Sequence, residues 1–261
     1  MAITAARMAD GPADLPTVRR FEATGFRAWP SASVSYDGTW AVRLTPDTTA
    51  RRINSINPLD RGDANRIDTR IASVRARFEQ AGRAPTFRIT PLASPALVDH
   101  LDRGGWQVVS PSLVMRADLT AMPPVTGDGV ATVTVDQFSE AAIALDNLDP
   151  INEAGFRNLI GRIQPEVRLF HIAIDGRPVA NAICVRDGQV AGLFEVATAA
   201  EFRSRGLGRR VVSAAFGWAL ERGANVAWLQ VEASNATALG LYRSLGFETI
   251  YPYHYRTEPS G

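Results

Sequence analysis

The sequence predicts an α/β (α+β) protein made of two domains of related fold, each a mixed, mostly antiparallel sheet flanked by helices. Three observations carry that expectation. Three consecutive apolar segments, 167–174, 178–185 and 190–198, are joined by the tight turns Asp175-Gly176 and Asp187-Gly188, which reads as an antiparallel meander. A helix–strand–helix–strand order recurs at an offset of 141 residues, with Gly82 falling on Gly223 and Gly105 on Gly246. Residues 121–129 (AMPPVTGDG) hold two prolines and two glycines with no periodicity, the mark of a linker. The expected division is 1–120, a linker at 121–129, and 130–261.

Composition narrows the function. With 261 residues, 46% of them apolar and 21% charged, the chain can bury a core. A formal net charge of +1, with arginines dispersed among acids, gives no footprint for nucleic acid or an anionic membrane. Cys184 is the one cysteine, so neither an internal disulfide nor a cysteine-based zinc site is expected. His100, His171 and His254 lack metal-ligand spacing, so no metal is expected. No basic segment followed by an apolar core opens the sequence, and no apolar run approaches the roughly 20 residues that span a bilayer. The expectation is a cytoplasmic protein with no membrane and no nucleic-acid partner; oligomeric state is not legible.

Taken in order, residues 15–24 form a short helix that Gly25 ends. Residues 39–44 (TWAVRL) alternate as a strand entered through Asp37-Gly38, and 51–57 form another that Pro58 breaks. Ile67, Ile71, Val74 and Phe78 fall at helical spacing, with Gly82 just beyond the end. A strand at 86–90 precedes a helix capped by Ser94, and Gly104-Gly105 turns the chain into a strand at 106–115. Beyond the linker come a strand at 131–135, helices near 138–148 and 151–163, and the meander. The next helix puts Leu207, Val211, Ala215, Trp218 and Ala219 on one face and stops at Gly223. A strand at 226–231, a helix capped by Ser234 or Asn235, and a last strand from Phe247 complete the chain.

The repeat also locates the chemistry. At the same offset Phe87 falls on Trp228 and Trp106 on Phe247, yet Gly206, Gly208, Arg203, Tyr242 and Glu195 fall opposite Asn65, Ile67, Gly62, Leu101 and Asn54. The fold signal persists while the chemical residues are gone. Activity therefore belongs to the second half.

There the stretch Arg203-Ser204-Arg205-Gly206-Leu207-Gly208 lies between a strand and an amphipathic helix. Unpaired amides and the dipole at a helix start favour an anion, and glycine lets that backbone approach closely. The loop lacks the Lys-Ser or Lys-Thr ending of a nucleotide P-loop, and an antiparallel meander before it is the wrong setting for a dinucleotide fingerprint. By itself it is equally a surface turn.

Its surroundings are more specific. Glu195-Val196-Ala197-Thr198, then R-x-x-G-x-G, then N-A-T-A-L-G-L-Y-R-S-L-G-F at 235–247, resemble the GNAT superfamily of acyl-CoA-dependent N-acetyltransferases over about residues 131–255. The first half resembles a degenerate copy lacking the coenzyme A loop, and the phrases AWP and RRINSINPL are similar to bacterial tandem GNAT-like proteins. The resemblance implies acetyl-CoA as co-substrate, with its pyrophosphate on the backbone of Arg205, Gly206, Leu207, Gly208 and Arg209, and Arg203 at the family's Gln/Arg position. It implies that the pantetheine arm lies against the backbone of Val196, Ala197 and Thr198, and that Asn235, also a helix N-cap, contacts that arm. Ala200 stands where the family often has proline, which leaves the loop less rigid without removing a donor.

Tyr242 matches the tyrosine that commonly protonates the departing thiolate; a phenol of pKa near ~10 is protonated at neutral pH, and the alternative role is a core aromatic. Glu195 is the first candidate to deprotonate or orient the amine, although a carboxylate near ~4.3 needs burial or a relaying water for that task. Glu232 and the strand residue His171 follow it. The resulting expectation is direct transfer of acetyl from acetyl-CoA to a primary amine of a small molecule or peptide. The alternative is a non-catalytic acyl-CoA sensor or interaction module.

Overall fold

The computed structural model describes residues 14–122, 128–145 and 147–259. Residues 123–127, most of the expected linker, lie outside that description. Two compact units emerge: the first holds 1–114, 231–236 and 249–261, the second 115–230 and 237–248. The chain's last strand thus folds with the first unit.

That unit opens with α1 (Leu15–Ala28), then β1 (Ser33–Asp37), β2 (Trp40–Leu44), β3 (Ser55–Pro58), α2 (Ile67–Gln80), β4 (Thr86–Ile89), α3 (Pro95–Arg103) and β5 (Gln107–Asp118). α1 runs past Gly25, because the Trp29 N–H closes on the Gly25 carbonyl and Val18, Phe21 and Ala28 bury one continuous face. Glycine costs a helix only about 1 kcal/mol, less than that face returns. A hairpin strand precedes Asp37-Gly38, and the stretch expected as a strand from residue 51 begins as a 3₁₀ turn at Arg51–Ile53. The Ser94 hydroxyl caps α3 by accepting from the Leu97 N–H at 3.3 Å.

The strand order here is β1-β2-β3-β4-β11-β5, where β11 is Glu248–Thr257. β3 and β4 run parallel, β1–β2, β2–β3 and β4–β11 antiparallel. Ile71, Val74 and Phe78 of α2 are buried on the sheet beside Trp40, Phe87 and Trp106, whose rings meet edge to face at 5.3–5.4 Å.

The second unit holds the end of β5, then β6 (Val130–Thr132), α4 (Val135–Ala144), α5 (Glu153–Arg162), β7 (Glu166–Ile174), β8 (Arg177–Asp187), β9 (Val190–Thr198), α6 (Leu207–Glu221), β10 (Val226–Glu232) and α7 (Ala236–Ser244). Its order is β5-β10-β9-β8-β7-β6. The expected meander is present: β7, β8 and β9 pair antiparallel, and the Asp175-Gly176 turn has φ of 51° and 77°. Val135 opens a helix and does not end the strand before it, because Thr134 and Gln137 form a reciprocal capping box. The face predicted for α6 is buried throughout, joined by Val212 and Phe216. β9 and β10 are parallel, so α6 is their crossover.

Candidate active site

β9 carries the central irregularity. Its ladder to β8 reads Ile183↔Phe194 and then Asn181↔Ala197, so Glu195 and Val196 together face the single Ala182. Glu195 takes up the extra length at φ 48°, in the left-handed region that a non-glycine residue seldom occupies. The Asn147 side-chain amide, in the loop after α4, donates to Glu195 Oε2 at 3.3 Å.

The bulge resets which backbone groups face which neighbour. The Ala197 N–H donates to Asn181 Oδ1 at 3.1 Å and the Ala199 N–H to the Val179 carbonyl at 2.9 Å, so both point toward β8. By the two-residue period of a strand, Val196 and Thr198 point the other way. On that side the pairing with β10 ends at Leu193↔Leu229. Residues 196–198 therefore offer a strand edge to which an extended ligand can add. The Thr198 carbonyl also accepts from Arg203 Nε at 3.4 Å.

α6 begins immediately beside this edge. Ser204 and Gly206 are left-handed, at φ 61° and 77°, and the first helical bond is Arg210 N–H to the Gly206 carbonyl at 3.0 Å. The amides of Leu207, Gly208 and Arg209 precede that bond and have no intrahelical acceptor. A Cβ on Gly208 would stand 3.3 Å from Thr198 Oγ1 and 3.7 Å from Leu241. Glycine there lets helix start, strand end and α7 converge. The cations around the loop are held in place. Arg205 stacks over Phe202 at 5.0 Å, Arg209 donates to Ser244 Oγ at 2.6 Å, and Arg210 donates to the Asp128 carbonyl. Together with the helix dipole they favour an anion.

Tyr242 sits on α7 between Leu241 and the Ser244 turn that meet α6, with its ring 5.8 Å from Phe247. Burial pushes its phenol up to about 12, so it stays protonated at neutral pH. His171, on β7, pairs directly with Asn181; burial lowers its pKa, and its Nδ1 is buried without a hydrogen-bond partner among the described residues. Cys184 is fully buried, and burial raises its thiol far above the ordinary range, so it is no nucleophile. Asn235 and Glu232 lie in the segment that folds with the first unit, where the Asn235 N–H donates to the Glu232 carbonyl at 3.0 Å.

The second unit thus unites Glu195, the 196–198 edge, the loop from Arg203 to Arg209, and Tyr242. Sequence reasoning missed Asn181 and Asn147; the signal for Asn181 was one amide inside the apolar run 178–185. Among the described residues, no cluster of three or more His, Cys, Asp or Glu could hold a metal.

A bulged strand edge thus runs directly into a glycine-gated helix start. Residues 130–247 match the model of the Acetyltransferase (GNAT) family. Over 250 residues, 92% of this chain and 98% of the relative, the sequence is 25% identical to YobR of Bacillus subtilis (strain 168), described as an uncharacterized N-acetyltransferase. It is 40% identical over 88 residues, 33% of this chain and 60% of the relative, to the [Ribosomal protein bS18]-alanine N-acetyltransferase of Salmonella typhimurium. A GCN5-related N-acetyltransferase from Kribbella flavida shares the fold at a TM-score of 0.72 and 22% identity, covering 97% of this chain and 98% of that one.

Proposed function

We propose that the second half transfers acetyl from acetyl-CoA to a primary amine by direct attack. The observation that carries this reading is the bulge of β9 opening a strand edge at Val196 and Thr198 directly against the Gly206–Gly208 helix start. The edge suits the amide-bearing pantetheine arm, and the amides of Leu207, Gly208 and Arg209 with their arginines suit its pyrophosphate. Asn235, at the head of α7, is assigned to the cofactor arm by family resemblance. Residues 1–120 read as a degenerate copy. Its α2 is entered through a left-handed Arg66 at φ 51°, so a side chain stands where the second half has glycine.

The amine nitrogen bonds to the thioester carbon as the carbon–sulfur bond breaks, the electron pair leaving on sulfur. Before that attack Glu195, directly or through a water, takes a proton from the acceptor ammonium and so frees the nitrogen lone pair. Tyr242 donates to the departing sulfur. Its phenol at about 12 is a far weaker acid than a thiol near ~8.5, so the contribution that suits it is a hydrogen bond to the developing thiolate. The ribosomal-protein alanine named for the Salmonella relative makes peptide amines the first acceptors to try, alongside small-molecule amines.

Calorimetric titration with acetyl-CoA followed by a thiol-release screen over amines and peptides tests the reading. Binding with turnover on at least one amine is expected, and Tyr242→Phe should slow turnover with little loss of acetyl-CoA affinity. Binding without thiol release across the panel would instead mark a sensor or interaction module.

A further inference from the structure

Asn181 is fully buried in the middle of β8, flanked by Val179, Ala180, Ala182 and Ile183, all themselves buried. A primary amide in such a run is unfavourable unless its polar ends are used. One end is used: Oδ1 accepts from the Ala197 N–H at 3.1 Å. That bond fixes which end of the amide is which, because a flipped amide would set donor against donor. The other end, Nδ2, is buried with no partner among the described residues, and so is Nδ1 of the paired His171.

The location of the used end matters most. Extending the Ile183↔Phe194 register without a bulge would put Val196 opposite Asn181; the structure puts Ala197 there. A one-residue slip in a strand exchanges the inward and outward groups of every residue beyond it. In the slipped register the Ala197 amide would face the open edge, and those of Val196 and Thr198 would turn toward β8. The Asn181 side chain holds one of the backbone amides that separate these alternatives, the Ala199 N–H on the Val179 carbonyl being another.

We propose that Asn181 is a positioning residue for acyl transfer: its Oδ1 latches the β9 bulge through Ala197, keeping Glu195 in its left-handed turn and Val196 and Thr198 aimed at the ligand edge. The inference rests on the acyl-transfer reading for its kinetic consequence. Its structural consequence is independent of any ligand.

The test compares wild type with Asn181→Val, which keeps the bulk but removes both polar ends, and Asn181→Asp, which keeps an acceptor for Ala197 and removes Nδ2. Without ligand, amide exchange at Ala197 should speed up at least tenfold in Asn181→Val relative to amides of the central β8 strand, and remain slow in Asn181→Asp. With acetyl-CoA and a competent amine, Asn181→Val should lose about tenfold or more in kcat and also bind free coenzyme A more weakly, since Val196 and Thr198 no longer aim at its pantetheine arm. Asn181→Asp should restore most of kcat. Unchanged Ala197 exchange in a folded Asn181→Val overturns the latch, as does a normal kcat. Equal damage in Asn181→Asp also overturns it, and that variant alone decides the matter if Asn181→Val does not fold. A wild-type protein that neither binds acetyl-CoA nor releases thiol would sink the acyl-transfer reading, leaving the latch to be judged on Ala197 exchange.

Discussion

The Asn147 side-chain amide donates to Glu195 Oε2 at 3.3 Å, tying the loop after α4 to the left-handed residue of the β9 bulge. Glu195→Gln preserves the size and an acceptor for Asn147 but removes the basic oxygen. Its kcat/KM should fall about 100-fold at neutral pH, the lower end of what a general base contributes. The deficit should narrow as pH rises through the pKa of the acceptor ammonium, since an amine that is already neutral has no proton to give up. A pH–rate profile of the two proteins decides this: a deficit that stays constant with pH would make Glu195 an anchor, and no deficit would remove it from the mechanism.

Gly208 offers a separation between stability and binding. It lies in the first turn of α6 with ordinary helical backbone, where alanine is favoured over glycine by about 1 kcal/mol. Its Cβ would nonetheless meet Thr198 Oγ1 at 3.3 Å and fill the approach to the Leu207–Arg209 amides. Gly208→Ala should therefore melt at the same temperature as wild type or slightly higher, yet bind coenzyme A at least tenfold more weakly, a loss of about 1.4 kcal/mol. Thermal melts and calorimetry on one preparation test both halves. Unchanged affinity would mean that the pyrophosphate does not contact this turn.

Elements whose information is local were readable in the sequence. The α6 face, the Ser94 cap and the meander turns each follow from a few neighbouring residues, and the structure has them all. Glycines that must adopt positive φ, such as Gly82, Gly223 and Gly246, marked the helix ends of both halves. What remained hidden depends on partners distant in sequence. Gly25 looked like a helix stop because the buried face that carries α1 past it exists only in the folded unit. The β9 bulge leaves no local signature, and Asn181, whose side chain accepts the Ala197 amide beside it, lies 16 residues away in sequence. The first unit takes in the chain's C-terminal strand, which a repeat offset cannot reveal because β5 and β11 occupy matching places in the repeat.

Glu22 and Arg88 in the first unit form a buried ion pair with both side chains under 5% exposed. Arg88 donates to both carboxylate oxygens, at 2.8 and 3.0 Å, and the Tyr251 hydroxyl of β11 donates to Glu22 Oε1 at 2.9 Å. The guanidinium lies 3.5 Å from the centre of the Tyr253 ring. Burial alone would raise the Glu22 carboxyl, but the Arg88 charge and the hydrogen bonds from Arg88 and Tyr251 outweigh it and hold the carboxyl below its ordinary value. Removing one partner strands the other charge in the core, which costs about 3–5 kcal/mol. Glu22→Gln should accordingly lower stability by that order, measured by urea unfolding at pH 7. The pH dependence follows from the direction of the shift. With the folded-state value depressed, the unfolded state binds more protons between the two values, so stability rises with pH across that window. The contribution of Glu22 is complete above the unfolded value near ~4.3 and is lost as pH falls through the folded value. Wild type should therefore lose stability on acidification below about pH 4.3 more steeply than Glu22→Gln, and the two curves should converge. Parallel curves would show that the fold leaves the Glu22 carboxyl at its unfolded value, and a wild type that gains stability relative to Glu22→Gln on acidification would show that Glu22 holds Arg88 as a neutral hydrogen-bond partner.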